Sequence, residues 1–331
     1  MKILSVVVKN YSGNPNAQEP MYIEFTGPLR ELGHRVEHFD HAKVNRELGF
    51  VVCGEHFIET IRNGGYDVVL YQTSGQEKMP REAIREAGRY APVVAWNSDD
   101  DWQWESHTRH LAPCFTFMVT TYPHICEENR EQHPNLILSQ WGCYDRFANF
   151  ARLKDMDFTF VGRIYDYRNR DCRYLRRKAG LRVFGAGARL VNLGLPSFRG
   201  CSRIPGLMGQ PVADYAKVNE IWNRSRISYT PLGSSIDPKL LQVKGRVFQM
   251  GLSGTLMLCD NNPELARYYE PGKEFVAFEG LEDCVEKVMY HLAHESERAR
   301  IAKAYHDRTM AQHLWQHRFV KLFQDIGLGK G

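Results

Sequence analysis

A pair of arginines follows a short apolar run in residues 158–168 and could bind a diphosphate. The run predicts a strand that ends at Gly162, which places Arg163 and Arg168 in the loop after it. Loops at the carboxyl ends of parallel strands carry the ligand sites of α/β sheets, and two guanidinium groups suit a diphosphate. The alternative is an exposed basic loop, since more basic residues follow directly: Arg170, Arg173, Arg176, Arg177 and Lys178.

A second candidate anion site lies in residues 233–238. Asp237 is a favourable N-cap and Pro238 fits the first turn of a helix, so the pattern predicts a helix over residues 238–252. The backbone amides of Ser234 and Ser235, next to the positive end of the helix dipole, would then bind a phosphate.

The same predicted helix carries a polar stripe. Gln242, Arg246 and Gln249 are spaced i, i+4 and i+7 and would share one face. Such a stripe is usually solvated. The apolar residues that crowd the rest of this helix leave the stripe narrow, as expected of a face that looks into a cleft.

Three consecutive carboxylates, Asp99, Asp100 and Asp101, come directly after a predicted strand. They could hold a metal, supply a general base or bind substrate hydroxyls. A metal site would need a further ligand, and the nearby candidates are Glu105 and His107. The alternative is that one aspartate caps a helix while its neighbours are solvated. Like charges packed together raise one another's pKa, which would help a base.

Two glycine-containing loops could let a nucleotide approach the backbone. Gly185 follows a predicted strand, and Gly13 lies in the first loop of the chain. Neither loop has the full Gly-x-Gly-x-x-Gly fingerprint, which argues against a dinucleotide-dependent dehydrogenase.

Strands and helices alternate along the chain in two series, which predicts two parallel, doubly wound α/β domains. The predicted strands are residues 3–8, 35–39, 67–71, 92–96 and 116–120 in the first series, and 158–162, 181–184, 227–230, 255–259 and 274–278 in the second. A polar run near residues 147–156 separates the series. The predicted domains are therefore residues 1–150 and residues 151–331, with a helical tail closing the second.

Composition fits a globular protein without disulfides or membrane spans. The 331 residues exceed what one core usually serves, and the net charge of +4 allows an anionic ligand without requiring nucleic acid. The eight cysteines form no Cys-x-x-Cys pair, which argues against a zinc ribbon or a dithiol redox site. No apolar run reaches the roughly 20 residues of a membrane span, and the amino terminus lacks a signal-peptide pattern. A cytoplasmic location is expected.

The second series resembles the spore-maturation CgeB-like glycosyltransferases, relatives of the large glycosyl transferases group 1 set. The resemblance rests on residues 244–255 (KGRVFQMGLSGT), on a strand ending at Asp260, and on residues 271–274 (PGKE). It extends to residues 160–163 (FVGR) and 183–185 (VFG). It covers the second predicted domain well and the first in outline.

The resemblance implies a GT-B fold, in which two Rossmann-like domains face a central cleft. The second domain would bind a nucleoside-diphosphate sugar as donor, and the first would bind the acceptor. Gly162, Arg163 and Arg168 match the positions that hold the donor diphosphate. Gln249 stands where the family usually has a glutamate on the donor ribose, and Leu241 where wider relatives have another. An amide can still hydrogen-bond hydroxyls.

The implied activity is that of a hexosyltransferase-like enzyme without a metal cofactor. Arg163, Arg168, Arg246 and the amides near Ser235 would stabilise the charge that develops on the β-phosphate, and one of the three aspartates would orient or deprotonate the acceptor hydroxyl. The acceptor stays open between a glycan, a small molecule and a modified DNA base; retention of configuration is expected on family grounds alone. Two alternatives are a nucleotide-sugar epimerase and a non-catalytic nucleotide-sugar-binding protein, which the replaced glutamates motivate.

Overall fold

The computed structural model describes residues 1–10, 18–73, 77–150, 152–164, 166–185, 187–195, 215–234 and 237–329. By their contacts the residues divide into two compact units, one formed by Met1–Trp141 with Trp315–Gly331 and the other by Gly142–Leu314. Each unit contains one parallel sheet with helices. The predicted fold class, two doubly wound parallel α/β domains, is confirmed.

The first unit is built on a sheet of parallel strands. The strands are β1 (Lys2–Val6), β2 (Arg35–Phe39), β3 (Val68–Gln72), β4 (Val93–Trp96), β5 (Phe117–Thr120) and β6 (Leu136–Leu138). The helices are α1 (Pro20–Glu31), α2 (His41–Leu48), α3 (Phe50–Gly64), α4 (Arg81–Ala87), α5 (Asp100–Gln103), α6 (Arg109–Leu111) and α7 (Pro123–Asn129). The sheet order is β2-β1-β3-β4-β5-β6. Its central strands are apolar runs buried along their length, as parallel sheets covered by helices require.

The second unit repeats this plan. Its strands are β7 (Met156–Val161), β8 (Arg182–Phe184), β9 (Ser225–Thr230), β10 (Leu256–Asp260) and β11 (Val276–Phe278), in the order β11-β10-β9-β7-β8. Its helices are α8 (Asp166–Ala179), α9 (Ala188–Asn192), α10 (Tyr215–Arg224), α11 (Gly245–Met250), α12 (Gly280–Ala293) and α13 (Glu295–Gln312). Aromatic and aliphatic side chains of β7, β9 and β10 form its core, among them Phe158, Phe160 and Ile227.

In both sheets the first strand lies between the second and the third. The strand order therefore reverses between β1 and β3 in the first unit, and between β7 and β9 in the second. Ligands of doubly wound sheets bind outside the carboxyl ends of the strands at such a switch point. In the second unit the switch point lies beside Gly162, which follows β7, and Pro231, which follows β9.

The last helix, α14 (Trp315–Asp325), belongs to the first unit. The rings of Trp315 and Phe319 pack edge-on against Phe25, and Trp315 also packs against Trp96. Burial of these aromatic rings packs α14 against the first unit, although α14 comes last in the sequence. The division by contacts thus differs from the predicted domain limits, because it falls after Trp141 and assigns the end of the helical tail to the first unit.

The sequence does not predict β6, because its three residues follow a turn-forming His-Pro-Asn sequence and form no longer apolar run. None of the described helices is long and apolar enough to cross a membrane. The seven cysteines within the described ranges are free.

Candidate functional site

Two glycines meet at the carboxyl ends of β7 and β8. The Gly162 amide donates a hydrogen bond to the Phe184 carbonyl at 2.9 Å. A Cβ atom added to Gly185 would lie 2.2 Å from the Gly162 carbonyl oxygen, and Gly185 has a φ of +124°. Because both the contact and the backbone conformation exclude a side chain, this position requires glycine. The loops after β7 and β8 therefore present bare backbone next to the switch point.

The guanidinium group of Arg246 lies over this bare backbone. Its Nη1 donates to the Val161 carbonyl at 3.5 Å, and a Cβ added to Gly162 would lie 3.1 Å from the same nitrogen. Arg246 is the second residue of α11 and is half-buried. The structure thus brings three predicted donor-site residues together: Gly162, Gly185 and Arg246.

The Gly233 carbonyl oxygen accepts three hydrogen bonds beside the switch point. The Tyr167 hydroxyl donates at 2.8 Å, Arg168 Nη2 at 3.1 Å and Lys244 Nζ at 2.6 Å. Arg168 is 1% exposed, and its Nε also donates to the Tyr167 hydroxyl at 3.2 Å. Arg168 therefore ties α8 to the loop after β9.

The two predicted diphosphate arginines consequently have different surroundings. Arg163 is exposed in the loop after β7, whereas Arg168 is enclosed. A ligand can reach the Arg163 guanidinium from solvent, while the Arg168 charge acts from behind the loop. The five-residue spacing of Arg163 and Arg168 does not predict this difference, because spacing alone does not determine which side chain is buried.

The charge at this edge is mainly positive. A carboxylate at the end of β10, Asp260, accepts a hydrogen bond from the Leu232 amide at 2.6 Å. Burial raises the pKa of Asp260, against that hydrogen bond and the nearby Lys244 charge, which lower it. The cationic side chains of Arg163, Arg168, Lys244 and Arg246 lie at the same edge, which favours an anionic ligand.

The phosphate site predicted at Ser234 and Ser235 depended on a helix that begins at Pro238. That prediction of the helix start is wrong, because residues 237–244 are not helical. Gly233 and Leu241 form an antiparallel bridge, and the Ser234 amide donates to the Leu240 carbonyl at 2.8 Å. The helix begins only at Gly245. Ser235 lies outside the described residues.

The physical reason is that Asp-Pro sequences start turns as readily as helices. Asp237 Oδ1 accepts a hydrogen bond from the Lys239 amide at 2.9 Å, which closes a turn instead of capping a helix. The predicted polar stripe loses Gln242, which precedes α11 and is buried. Arg246 and Gln249 remain one turn apart on α11, both partly exposed.

In the first unit, the aspartates occupy the turn from β4 into α5. Asp99 has a φ of +64° and is the one described non-glycine residue in the left-handed region. The next residue, Asp100, is fully buried. Asn97 donates through Nδ2 to Asp100 Oδ1 and to Thr108 Oγ1, and accepts from the Thr73 hydroxyl. Buried side chains therefore fix this turn.

The three aspartates differ in accessibility. Asp99 is exposed, Asp101 is partly exposed and Asp100 is enclosed. Burial raises the pKa of Asp100 to about 6, with hydrogen bonds from Thr120, Thr108 and Asn97 opposing the rise. Asp99 is thus the carboxylate most open to a substrate, whereas Asp101 is only partly exposed and its Oδ1 is enclosed.

A tyrosine adjoins Asp101. Burial raises the pKa of Tyr122, and the charge of Asp101, together with a hydrogen bond from the hydroxyl to that carboxylate, raises it further. Glu105, a candidate metal ligand in the sequence, is paired with Arg109. Across the described ranges, no three His, Cys, Asp or Glu side chains converge in a way that could hold a metal ion.

The chain is similar to known proteins in its second half. A family model described as glycosyl transferase-like matches residues 147–324, more than half of the chain. No curated protein matches the chain in sequence.

Solved structures match over almost the whole length. The glycosyltransferase from Rickettsia africae ESF-5 has a TM-score of 0.65 at 11% identity, with 99% of each chain covered. An alpha-glucosyltransferase in complex with UDP-glucose and DNA containing an abasic site gives the same TM-score, identity and coverage. Anabaena Alr3699/HepE in complex with UDP and glucose has a TM-score of 0.62 at 9% identity, again with 99% of each chain covered. At these identities the likeness concerns the fold.

Proposed function

The chain belongs to the glycosyl transferase-like family and has the GT-B fold, and we propose that it transfers a sugar from a UDP-sugar to an acceptor hydroxyl. The observation that carries this proposal is the Arg246 guanidinium lying over the bare Gly162 backbone at the switch point of the second sheet. Two of the similar structures contain UDP or UDP-glucose, which favours UDP as the nucleotide. The resemblance of residues 244–255 to the CgeB-like enzymes supports a place within that subfamily.

The proposed diphosphate position lies between Arg163 and Arg246. Gly162 and Gly185 let phosphoryl oxygens come close to the backbone, because neither residue has a side chain there. Arg168 supports the pocket from inside by holding the Gly233 carbonyl. Gln249, one helical turn beyond Arg246, takes the ribose hydroxyls through its amide.

The difficult step is heterolysis of the bond between the anomeric carbon and the diphosphate oxygen. The acceptor oxygen forms a bond to the anomeric carbon, UDP leaves with the electron pair, and negative charge develops on the β-phosphate. The guanidinium groups of Arg163 and Arg246 stabilise that charge, so the proposed reaction needs no metal ion. A donor aimed at developing charge typically contributes about 10²–10³ in rate.

The acceptor loses a proton in this reaction, and the proposed base is Asp99 or Asp101. Asp99 is exposed and Asp101 is partly exposed, and Tyr122 donates to Asp101, which would orient that carboxylate. Asp100 is proposed as a positioning residue, because it is enclosed and bonded to Asn97.

The test combines a donor screen with one matched pair of variants. UDP-, GDP-, TDP- and CDP-sugars are added to the purified chain, and thermal shift and release of the nucleoside diphosphate are followed with and without EDTA. We expect UDP-sugars to raise the Tm and to be consumed equally in both conditions. Arg163→Ala should lower kcat by about 10²–10³ without changing the unfolding profile of the free chain. Arg182→Ala, which removes an exposed arginine at the start of β8, should leave turnover unchanged.

Three outcomes contradict the proposal. Near-normal turnover in Arg163→Ala would exclude its role in charge stabilisation. Conversion of the donor to an epimeric nucleotide-sugar, with no acceptor present, would indicate an epimerase. Donor binding by calorimetry without release of UDP for any acceptor would indicate a binding protein.

A further inference from the structure

The positive charge of the chain is concentrated in one short segment. Residues 163–194 contain nine Arg or Lys residues and two Asp residues, a net charge of +7. The whole chain has a net charge of +4, so the rest of the chain is negative by three charges. Proposed diphosphate binding involves two of these cations, Arg163 and Arg168, and leaves the others unexplained.

Four of the other cations line a groove along α8, which we name the α8 arginine face (Arg170, Arg173, Arg176 and Arg177). The groove has a volume of about 560 Å³ and is also lined by Tyr174 and Gly194. Arg170, Arg173 and Arg177 are spaced i, i+3 and i+7 and lie on one side of the helix. The opposite side of α8 carries Cys172 and Leu175, both fully buried, so the arginines face outward.

Two acidic side chains contact residues that line this groove. Arg170 pairs with Asp171 at 3.0 Å, and the Tyr174 hydroxyl donates to Glu282 at 3.2 Å. The guanidinium of Arg177 lies over the Tyr174 ring at 5.9 Å, which holds that arginine near the groove.

Two exposed leucines flank a glycine that lines the same groove as the arginines. Leu193 and Leu195, on either side of the groove residue Gly194, are 67% and 50% exposed. The end of α9 fixes them there, because the Leu195 amide donates to the Leu190 carbonyl at 2.8 Å and Gly194 has a φ of +80°. This is the left-handed closure typical of helix ends.

We propose that the α8 arginine face, with Leu193 and Leu195, docks the protein on an anionic phospholipid surface. The guanidinium groups would contact headgroup phosphates, and the two leucines would enter the boundary between headgroups and acyl chains. Nucleic acid would also attract the arginines. Duplex nucleic acid buries an aliphatic side chain chiefly where the chain wedges between unstacked bases, whereas a bilayer offers an apolar layer along its whole surface. The leucines therefore favour the lipid surface. This inference is independent of the proposed sugar transfer.

The first experiment measures sedimentation of the full chain with vesicles of phosphatidylcholine alone and of phosphatidylcholine mixed with phosphatidylglycerol. We expect binding to the mixed vesicles that weakens with added salt. Because each basic residue near an anionic surface contributes about fivefold in binding, Arg173→Gln with Arg177→Gln should weaken binding about 25-fold. The control combines Arg267→Gln with Arg300→Gln, which removes two exposed arginines elsewhere in the second unit and should weaken binding much less.

The second experiment separates lipid from nucleic acid. Leu193→Ser with Leu195→Ser should weaken vesicle binding about tenfold, since it removes two side chains from the apolar layer. The control is Leu153→Ser with Met289→Ser, two residues that are 82% and 56% exposed outside the groove. Thermal unfolding of all four variants is compared with that of the parent chain to verify folding.

Three results overturn the proposal. The first is an absence of binding to the anionic vesicles. The second is equal loss of binding in the arginine variant and its control. The third is full vesicle binding in the leucine variant together with salt-dependent binding of duplex DNA that the arginine variant loses, which would assign the face to nucleic acid.

Discussion

The loops at the carboxyl ends of the two sheets are fixed in different ways, by close backbone contact in the second unit and by buried polar side chains in the first. In the second unit, the edge at the β7–β9 switch point is shaped by glycine backbone, and Arg246 lies directly on Gly162. In the first unit, the acidic turn follows β4, away from the β1–β3 switch point. There the Asn97 side chain bonds Asp100 and fixes the turn.

The two edges therefore differ in the space that they leave for a ligand. Bare backbone beside cations leaves space for an anion, whereas a buried network of polar side chains leaves none and holds its neighbours rigidly. In the proposed reaction, the second edge would bind the donor and the first would orient Asp99 and Asp101. Substitutions at each edge should therefore have different signatures.

The largest effect is expected for Gly185→Ala. The new Cβ would lie 2.2 Å from the Gly162 carbonyl oxygen at a φ of +124°, so the loops after β7 and β8 must separate. We expect a loss of at least about 3 kcal/mol in the free energy of unfolding, measured by urea denaturation. UDP binding, measured by calorimetry below the unfolding transition, should be lost as well.

Gly180→Ala is the matched control for this prediction. Gly180 also has a positive φ, +69°, but a Cβ there would meet nothing within 4 Å. The backbone conformation alone should cost about 1 kcal/mol. Equal destabilisation by the two alanines would show that the contact between Gly185 and Gly162 does not matter.

The next effect concerns Asp100 and depends on pH. Its pKa is raised from 3.8 to about 6 by burial, so the folded state holds a proton that the unfolded state loses. Stability from this group is fully present below pH 3.8 and is lost as pH rises through 6. At about 1.4 kcal/mol per pKa unit, the free energy of unfolding of the parent chain should fall by about 2–3 kcal/mol across that window because of Asp100. Asp100→Asn should abolish this fall.

The measurement is the free energy of unfolding from about pH 4 to pH 7, expressed as the difference between each variant and the parent chain. Asp99→Asn is the control, because Asp99 is exposed on the same turn and asparagine tolerates its left-handed conformation. That control should follow the parent profile. A parallel profile for Asp100→Asn would mean that the carboxyl is not buried in solution.

The sheets could be predicted from the sequence because their central strands are continuous apolar runs. Residues 67–71 and 92–96 of the prediction overlap β3 and β4 closely. The short edge strand β6 and the return of α14 to the first unit could not be predicted. The first has three residues, and the second depends on long-range packing of Trp315 against Phe25.

The candidate site was predictable where backbone geometry determines it. The sequence placed Gly162 at the end of one predicted strand and Gly185 directly after another, and the structure has both glycines at the carboxyl ends of β7 and β8. The loop after β9 was not predictable, because Asp237-Pro238 fits a turn and a helix start equally well. Nor could the sequence distinguish the enclosed Arg168 from the exposed Arg163, since burial depends on the Gly233 carbonyl 65 residues further along the chain.

The smallest effect tests how far the comparison extends along α11. Gln249→Glu restores the carboxylate that the resembling family has at this position. If the side chain faces the ribose, the carboxylate accepts hydrogen bonds from the hydroxyls and should tighten UDP binding about tenfold, as a charge-assisted bond does. If it faces the diphosphate, like-charge repulsion weakens binding instead. Calorimetry with UDP gives the sign, and Gln312→Glu, an exposed residue of α13, provides the same charge change away from the site. Weaker binding in Gln249→Glu, with Gln312→Glu unchanged, would indicate that the ribose does not contact α11. In that case Arg246 would contact the phosphates, and Gln249 would not contact the ribose.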